Sequence, residues 1–188
     1  MRRLTAALPA LVLCAWLAGC AAPTPKADSV PLLRLPPAAL QRELDLQQQI
    51  TVRYRTSAGE TQHDVLAVLQ ADAGHTRLAA VAGTQVLARL DWDGERLQVV
   101  RSPWAPAELV PERILSDLQL ALWPSDAIAA ALPPGWDLDA APDRRVLRRG
   151  TETVADIRYP DADTIVLAQH HDGYTLTIRT LRAPDSKS

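Results

Sequence analysis

Residues 85–100 read QVLARLDWDGERLQVV, which is the pattern of a β-hairpin. Apolar side chains recur at every second position and therefore share one face of a strand. Asp93-Gly94 then supplies the two residues with positive φ that a tight hairpin requires. The apolar face, which continues on the partner strand, consists of Val86, Ala88, Leu90, Trp92, Leu97 and Val99. The stretch predicts an antiparallel pair of strands.

Similar patterns flank this hairpin on both sides. Short apolar runs separated by turn residues recur about every ten positions, which is typical of an antiparallel meander. Upstream, Ile50, Val52 and Tyr54 alternate with polar residues, and apolar runs follow at 64–71 and 77–82. Near the C-terminus, turn signals lie at 149–150, 160–163 and 172–173. The sequence thus predicts strands on either side of a different central region.

That central region has helical periodicity. Residues 102–110 contain Pro103 and Pro106 and cannot form a ladder strand, whereas Pro111 suits the first position of a helix. Apolar residues then recur at the spacing of an amphipathic helix. Its apolar stripe is Ile114, Leu115, Leu118 and Leu122, and its polar side is Glu112, Arg113, Ser116, Asp117 and Gln119. Pro124 ends this helix, and Ser125-Asp126 can cap a second one that reaches Leu132.

Strands followed by helices and then strands, without strand-helix-strand repetition, predict an α+β fold. We expect a single curved antiparallel β-sheet, an open half-barrel, with the central helices packed on its concave face. Residues 38–182 would form this one domain, and residues 183–188 a polar tail. A short helix is expected over residues 37–44, because a proline stands at its start.

Residues 1–19 have the plan of a lipoprotein signal peptide. Arg2 and Arg3 precede an uncharged apolar run that is shorter than the about 20 residues needed to span a bilayer. The run ends at Leu-Ala-Gly-Cys, residues 17–20, a box that resembles the lipoprotein signal-peptidase site. We expect Cys20 to carry the lipid and to begin the mature chain. The alternative is an ordinary secretory signal with a chance cysteine.

Residues 20–37 are expected to tether the domain to the lipid anchor. The segment contains five prolines and could reach roughly 50 Å if extended. Ala21 follows the cysteine where an aspartate would retain a lipoprotein in the inner membrane. We therefore expect an outer-membrane protein that faces the periplasm.

Charge and cysteine content exclude some classes of partner and site. Without Arg2 and Arg3 the mature chain keeps 18 of the 20 basic residues against 22 acidic ones, so nucleic acid is not an expected partner. Cys14 leaves with the signal peptide and Cys20 is acylated. The domain is therefore expected to lack disulfides and thiolate metal sites.

No sequence pattern indicates catalysis or a cofactor. Phosphate-binding glycine loops, a nucleophile elbow and paired zinc-binding histidines are absent from the sequence. His170 and His171 are adjacent and would point to opposite faces of a strand, which favours a solvated turn over a metal site. Four arginines at 144–145 and 148–149 suit either an anionic ligand or, more simply, a charged edge strand. We predict no catalytic residue, cofactor or metal.

Two tracts carry a family resemblance: residues 109–124, LVPERILSDLQLALWP, and residues 174–181, YTLTIRTL. With them, nearly the whole mature chain resembles an uncharacterised family of bacterial lipoproteins that has a domain of unknown function. Members are often encoded beside aryl-polyene or fatty-acid-like biosynthetic enzymes. The family is distantly similar to the periplasmic lipoprotein-localisation carrier and its outer-membrane receptor. The resemblance implies an open half-barrel whose apolar face, covered by helices, holds acyl chains.

Alanine-rich strand faces are compatible with such a cavity, and equally with close helix packing. The residues predicted to bind lipid are Val86, Leu90, Trp92, Leu97, Val99, Trp104, Leu118 and Leu122. The receptor inserts an exposed loop leucine into the bilayer, but the comparable turn here, residues 82–84, has none. Trp104 and Leu109 are the candidates to replace it.

These observations predict a non-enzymatic outer-membrane lipoprotein. It would bind or receive an acyl chain, a polyene lipid or lipoprotein cargo, with a periplasmic carrier protein as a candidate partner. The alternative is a structural or assembly lipoprotein that binds a partner protein through an edge strand or the Trp104 loop. A third alternative is a hydrolase or thioesterase accessory whose site the sequence does not reveal.

Overall fold

The computed structural model describes residues 30–56, 59–105 and 110–182, which form one open sheet and two short helices. The elements, in chain order, are β1 (Leu44–Thr56), β2 (Gly59–Ala71), β3 (Thr76–Ala82), β4 (Gln85–Trp92), β5 (Leu97–Arg101), α1 (Pro111–Leu122), α2 (Ser125–Ala131), β6 (Trp136–Ala141), β7 (Arg144–Arg149), β8 (Glu152–Asp161), β9 (Thr164–Gln169) and β10 (Tyr174–Thr180). Neighbouring strands are antiparallel, in the order β5-β4-β3-β2-β1-β10-β9-β8-β7-β6. The predicted single antiparallel sheet with central helices is confirmed.

The first and last strands of the domain pair at the centre of the sheet. β1 and β10 place Ile50 opposite Ile178, and Tyr54 opposite Tyr174. This pairing joins two meanders that are far apart in the chain, and β5 and β6 become the two edges. Helices α1 and α2 connect the meanders and lie on one face, which we call the helix-bearing face.

The turn between β4 and β5 differs from the predicted two-residue hairpin. Only Gly94 has a positive φ, at 97°, and the turn spans residues 93–96. Asp93 Oδ1 accepts hydrogen bonds from the backbone N–H groups of Glu95 (2.8 Å) and Arg96 (2.7 Å). The prediction was wrong because the aspartate side chain satisfies these donors and stabilises a wider turn.

A β-bulge at Leu87 changes which side chains of β4 face the helices. Ala88 pairs with Ala80, but the next pair joins Val86 to Val81, which leaves Leu87 as the extra residue. One extra residue reverses the alternation of a strand. Leu87 is therefore buried and Val86 is exposed on the opposite face. The prediction that Val86 shares a face with Ala88 and Leu90 is wrong.

Helix α1 is buried on all sides along its centre. Residues 115–121 are all buried, including Ser116, Asp117 and Gln119, which were predicted to lie on an exposed polar side. That prediction fails because the helix is covered twice. The sheet covers one side, and the chain that precedes the 3₁₀ helix Pro37–Leu40 covers the other.

We call this preceding segment, residues 30–36, the strap. The Leu33 backbone N–H donates to Ser116 Oγ at 3.0 Å. The Gln119 side chain binds Leu35 at both backbone groups: Oε1 accepts from the N–H at 2.9 Å, and Nε2 donates to the carbonyl oxygen at 2.8 Å. Trp92 Nε1 also donates to that carbonyl oxygen, at 2.8 Å. Four hydrogen bonds to Leu33 and Leu35 therefore fix the strap against α1 and β4.

The assignment of residues 30–37 to a free tether is wrong. Val30, Leu33 and Leu35 are buried, and their apolar contact with the helix outweighs the disorder that prolines favour. The predicted helix over residues 37–44 is also too long: it ends at Leu40, because Gln41 adopts a left-handed conformation with φ 60°. The rest of the predicted tether, residues 20–29, lies outside the described residues, as do the predicted signal peptide, Cys20 and residues 183–188.

Among the described residues, no helix combines the length and the apolar character that a membrane span requires.

Candidate functional site

An apolar cavity of about 140 Å³ lies between the helix-bearing face and the first half of α1. Its walls come from the central strands β1, β2, β3 and β10, from the bulge in β4, and from the start of the helix. The lining residues are Ile50, Val52, Tyr54, His63, Val65, Ala67, Leu78, Ala80, Leu87, Val110, Arg113, Ile114, Asp117, Leu118, Tyr174, Leu176 and Ile178.

Small side chains explain why space remains here. Ala67 and Ala80 stand directly opposite each other on β2 and β3, and both are buried. Neither reaches far toward Ile114 and Leu118 on the helix above them. Because packed interiors leave few voids larger than a water molecule, a cavity of this size is a distinct feature of the fold.

A buried carboxylate, Asp117, lines the cavity. Asp117 Oδ1 accepts a hydrogen bond from Gln169 Nε2 at 2.8 Å, and its Oδ2 accepts one from the Tyr174 hydroxyl. Burial raises the pKa of Asp117 to about 6, although both hydrogen bonds act to lower it. Burial, together with the charge of Asp117, also raises the pKa of Tyr174. Tyr174 is therefore a neutral hydrogen-bond donor at neutral pH.

Arg113 lies one helical turn before Asp117 and lines the same cavity. Its Nε is 3.3 Å from Asp172 Oδ2, and its Nη2 donates weakly to the Val30 carbonyl oxygen at 3.4 Å. Its Nη1 is buried and has no hydrogen-bond partner within residues 30–56, 59–105 and 110–182. The cavity wall thus contains a charged donor whose capacity is only partly used.

The cavity reaches the protein surface beside β2 and the start of α1. His63 on β2 is exposed, and Val110, just before α1, is 46% exposed. The Tyr54 ring lies between the His63 and Tyr174 rings, with centroid distances of 6.3 and 6.2 Å. A ligand that enters beside these rings would lie close to Asp117, because Asp117 is hydrogen-bonded to Tyr174.

Of the eight residues predicted to bind lipid, Leu118 is the one found among the lining residues. Leu90, Trp92 and Leu97 instead fill the core beside the cavity, where Leu122 also packs. Val99 is on the edge strand and Trp104 is 79% exposed in the loop after it. Val86 lies on the opposite face because of the bulge at Leu87. Leu109 lies outside the described residues.

The predicted cavity lies too near β5 because local sequence patterns do not reveal that β1 pairs with β10 at the centre of the sheet. The lining residues on these strands that were not predicted are Ile50, Val52, Tyr54, Tyr174, Leu176 and Ile178. Each alternates with polar residues in the sequence. The available signal was the two matching alternations at the ends of the domain, which suggest a shared face once the strands are paired.

The remaining sequence candidates have structural roles. His170 and His171 are exposed in the turn between β9 and β10, and the described residues contain no cluster of three or more side chains suited to a metal ion.

The arginines predicted to bind an anion or to protect an edge strand make contacts within the domain. Arg145 Nη1 donates to the carbonyl oxygens of Leu120 (2.9 Å) and Trp123 (2.8 Å) and so caps α1. Arg144 donates to Asp156 Oδ2 at 2.6 Å, which lowers the pKa of that carboxyl. The edge strand is β6, rather than the arginine-rich β7.

Comparison with known families gives one match: residues 45–182 match the family described as "Protein of unknown function (DUF3261)". The chain belongs to the DUF3261 family. The match runs from the start of β1 to just beyond β10. It confirms the prediction that the chain belongs to a family with a domain of unknown function. No curated protein matches the chain.

Proposed function

We propose that this DUF3261 protein is a non-enzymatic binder of acyl or polyene chains, anchored by lipid at Cys20 to the outer membrane and facing the periplasm. The cavity between the sheet and α1 is the observation that carries the proposal. Its walls are almost entirely apolar, and its mouth reaches the surface beside His63 and Val110. An apolar cleft with a few polar groups in its wall is the usual form of a small-molecule site.

The volume limits how much of a ligand can enter. A cavity of roughly 150 Å³ holds a molecule the size of benzene, so about six carbons fit within the 140 Å³ found here. A longer acyl or polyene chain would insert one end and extend through the mouth. Such partial burial suits a protein that receives or presents a chain better than one that encloses it.

We also propose a distant relationship to the lipoprotein-localisation carrier and its outer-membrane receptor. The open antiparallel sheet and the helix over one face support it, since a half-barrel covered by helices is what the sequence resemblance implies. Under this proposal the periplasmic partner would be a carrier protein that delivers the chain.

Binding is tested by filling the cavity. Residues 21–188 include every contact described above and can be produced without the anchor. We expect uptake of the uncharged fluorescent probe N-phenylnaphthylamine, which would be displaced by methyl octanoate. Ala80→Leu narrows the cavity and should weaken probe binding about tenfold or more, since three added carbons take up about half of a six-carbon site.

The matched control is Ala79→Leu on the same strand. Ala79 faces away from the helices, so this variant adds equal volume without touching the cavity. If both variants bind the probe as the parent does, or if the parent takes up none, the cavity is not a binding site and the proposal fails. If the parent protein binds the probe and Ala80→Leu does not, native mass spectrometry of the protein from its own cells can identify the natural ligand.

Lipid anchoring is tested separately. In cells fed labelled palmitate, the parent chain should incorporate the label and sediment with outer membranes. Cys20→Ser should lose the label, because the serine hydroxyl cannot form the thioether. Unlabelled parent protein would refute the anchor without affecting the cavity experiment.

The exposed edge of the sheet favours a second candidate function, binding of a partner protein. Val100 on β5 is 68% exposed and Trp104 is 79% exposed, whereas most edges are protected by charge. Under this alternative a partner would copurify with the parent protein and be lost in Trp104→Ser. The Ala80→Leu variant would retain it.

A further inference from the structure

The cavity wall offers a ligand one strong hydrogen-bond donor, Arg113. Its Nη1 is buried without a partner in the described part of the chain, while Nε and Nη2 are directed to Asp172 and to the strap. A buried donor left without an acceptor costs about 1–3 kcal/mol, and more for a charged group. An acceptor on a bound ligand would recover that cost.

The surrounding charges determine which acceptor fits. Arg113 contributes one positive charge, but Asp172 lies 3.3 Å from its Nε and Asp117 lies one turn along the same helix. Both oxygens of Asp117 already accept hydrogen bonds, from Gln169 and Tyr174, as expected for a carboxylate. Two carboxylates around one guanidinium leave a net negative charge, which disfavours a further carboxylate on the ligand.

Resting on the function proposed above, we infer that this site selects acyl compounds with an uncharged carbonyl, an ester or an amide, whose oxygen accepts a hydrogen bond from Arg113 Nη1. The hydrocarbon portion packs between Ile114, Leu118 and the strands. Free fatty acids are selected against by Asp172 and Asp117. The ligand is therefore an esterified or amidated chain, as found in acylated lipids and lipoproteins, rather than the free acid.

Probe displacement can separate this inference from the binding function. In the parent, methyl octanoate should displace N-phenylnaphthylamine, which has no carbonyl, at lower concentration than octanoate does. Arg113→Met keeps an apolar wall of similar length but removes the donor. It should weaken methyl octanoate about tenfold more than it weakens the probe, because only the ester has a carbonyl that accepts the Arg113 hydrogen bond.

Asp172→Asn provides the second variant. Asp172 lies in the exposed turn after β9, and its replacement by asparagine removes one negative charge beside Arg113 without changing the cavity wall. Octanoate affinity should rise about fivefold or more, while methyl octanoate affinity stays nearly constant. This result would show that charge, rather than apolarity alone, excludes the free acid.

The outcomes differ for the two proposals. If Arg113→Met weakens the ester and the probe equally, Arg113 has a structural role and the inference is overturned. It is equally overturned if octanoate binds the parent as tightly as its ester, or if Asp172→Asn leaves the acid unchanged. In all these cases the cavity still binds apolar molecules and the proposed function stands. Absence of probe binding in the parent overturns both.

Discussion

The two halves of the sheet are packed in different ways. Over β6 to β9, Trp123, Ile128 and the strap fill the space against Leu147, Ala155 and Ile157, and Trp123 is completely buried. Over β1 to β4 and β10, α1 also covers the sheet, but Ala67 and Ala80 leave the cavity beneath its first half. One helix thus spans a filled half and an open half.

The difference shows that the cavity is a consequence of where large side chains are placed. Trp123 and helix α2 anchor the C-terminal end of α1, and Gln119 ties its centre to the strap. The helix can therefore remain above small residues at its other end without collapsing onto them. We therefore expect the filled half to contribute more to stability, and the open half to hold the proposed ligand.

The largest expected effect comes from removing the anchor of the filled half. Trp123→Ala should lower the free energy of unfolding by about 3–5 kcal/mol, because a buried indole leaves a cavity that the core cannot fill. Trp104→Ala is the matched control and should change stability by less than about 0.5 kcal/mol, since that side chain is 79% exposed. Urea unfolding of both variants measures this. Equal losses would show that the filled half does not dominate stability.

The second prediction concerns the carboxylate in the open half. Burial raises the pKa of Asp117 from an ordinary value of 3.8 to about 6 in the folded state, so the folded protein holds this proton more tightly than the unfolded chain. The favourable contribution is therefore fully present below pH 3.8 and is lost as the pH rises through 6. Relative to Asp117→Asn, the parent should lose up to about 3 kcal/mol of unfolding free energy between pH 4 and pH 7.

Asp156→Asn is the control for this pH profile. Hydrogen bonding from Arg144 lowers the pKa of Asp156, so its stabilising contribution is present above the ordinary value and is lost only as the pH falls further. Between pH 4.5 and 7 its difference from the parent should be nearly constant. Parallel profiles for the parent and Asp117→Asn would contradict a raised pKa at Asp117.

Much of this architecture could be predicted from local sequence patterns. Alternation and turn residues located most strands, and proline positions located both helices, because these signals act within a few residues. The strap was missed because five prolines obscured the alternation of Leu33 and Leu35 with exposed Leu32 and Arg34. The burial of Ser116 and Gln119 was not predicted for the same reason, since the strap covers both side chains.

The candidate site depended on features that local patterns do not encode. The bulge at Leu87 and the pairing of β1 with β10 together moved the cavity from the β4–β5 hairpin to the centre of the sheet. Asp117 reads as a surface residue of an amphipathic helix until Gln169 and Tyr174 are brought beside it by pairing across more than 50 positions. Such non-local contacts are properties of the whole fold.

The smallest effect tests the comparison most directly, because the same substitution is made in each half. Ala155→Leu inserts three carbons into a site that is completely buried, and it should lower the free energy of unfolding by about 1–3 kcal/mol through overpacking. Ala80→Leu inserts the same atoms into the cavity, where they gain apolar contacts, so stability should stay constant or rise by up to about 1 kcal/mol. Thermal and urea unfolding measure both.

If Ala80→Leu destabilises the protein as much as Ala155→Leu, the two halves of the sheet are equally well packed, and no ligand fits under α1 without moving the helix. The contrasting result is an Ala80→Leu variant that is as stable as the parent, or more stable, and no longer binds the probe. It would show that the space left by Ala67 and Ala80 serves ligand binding, and that the protein forgoes some stability there which the filled half supplies.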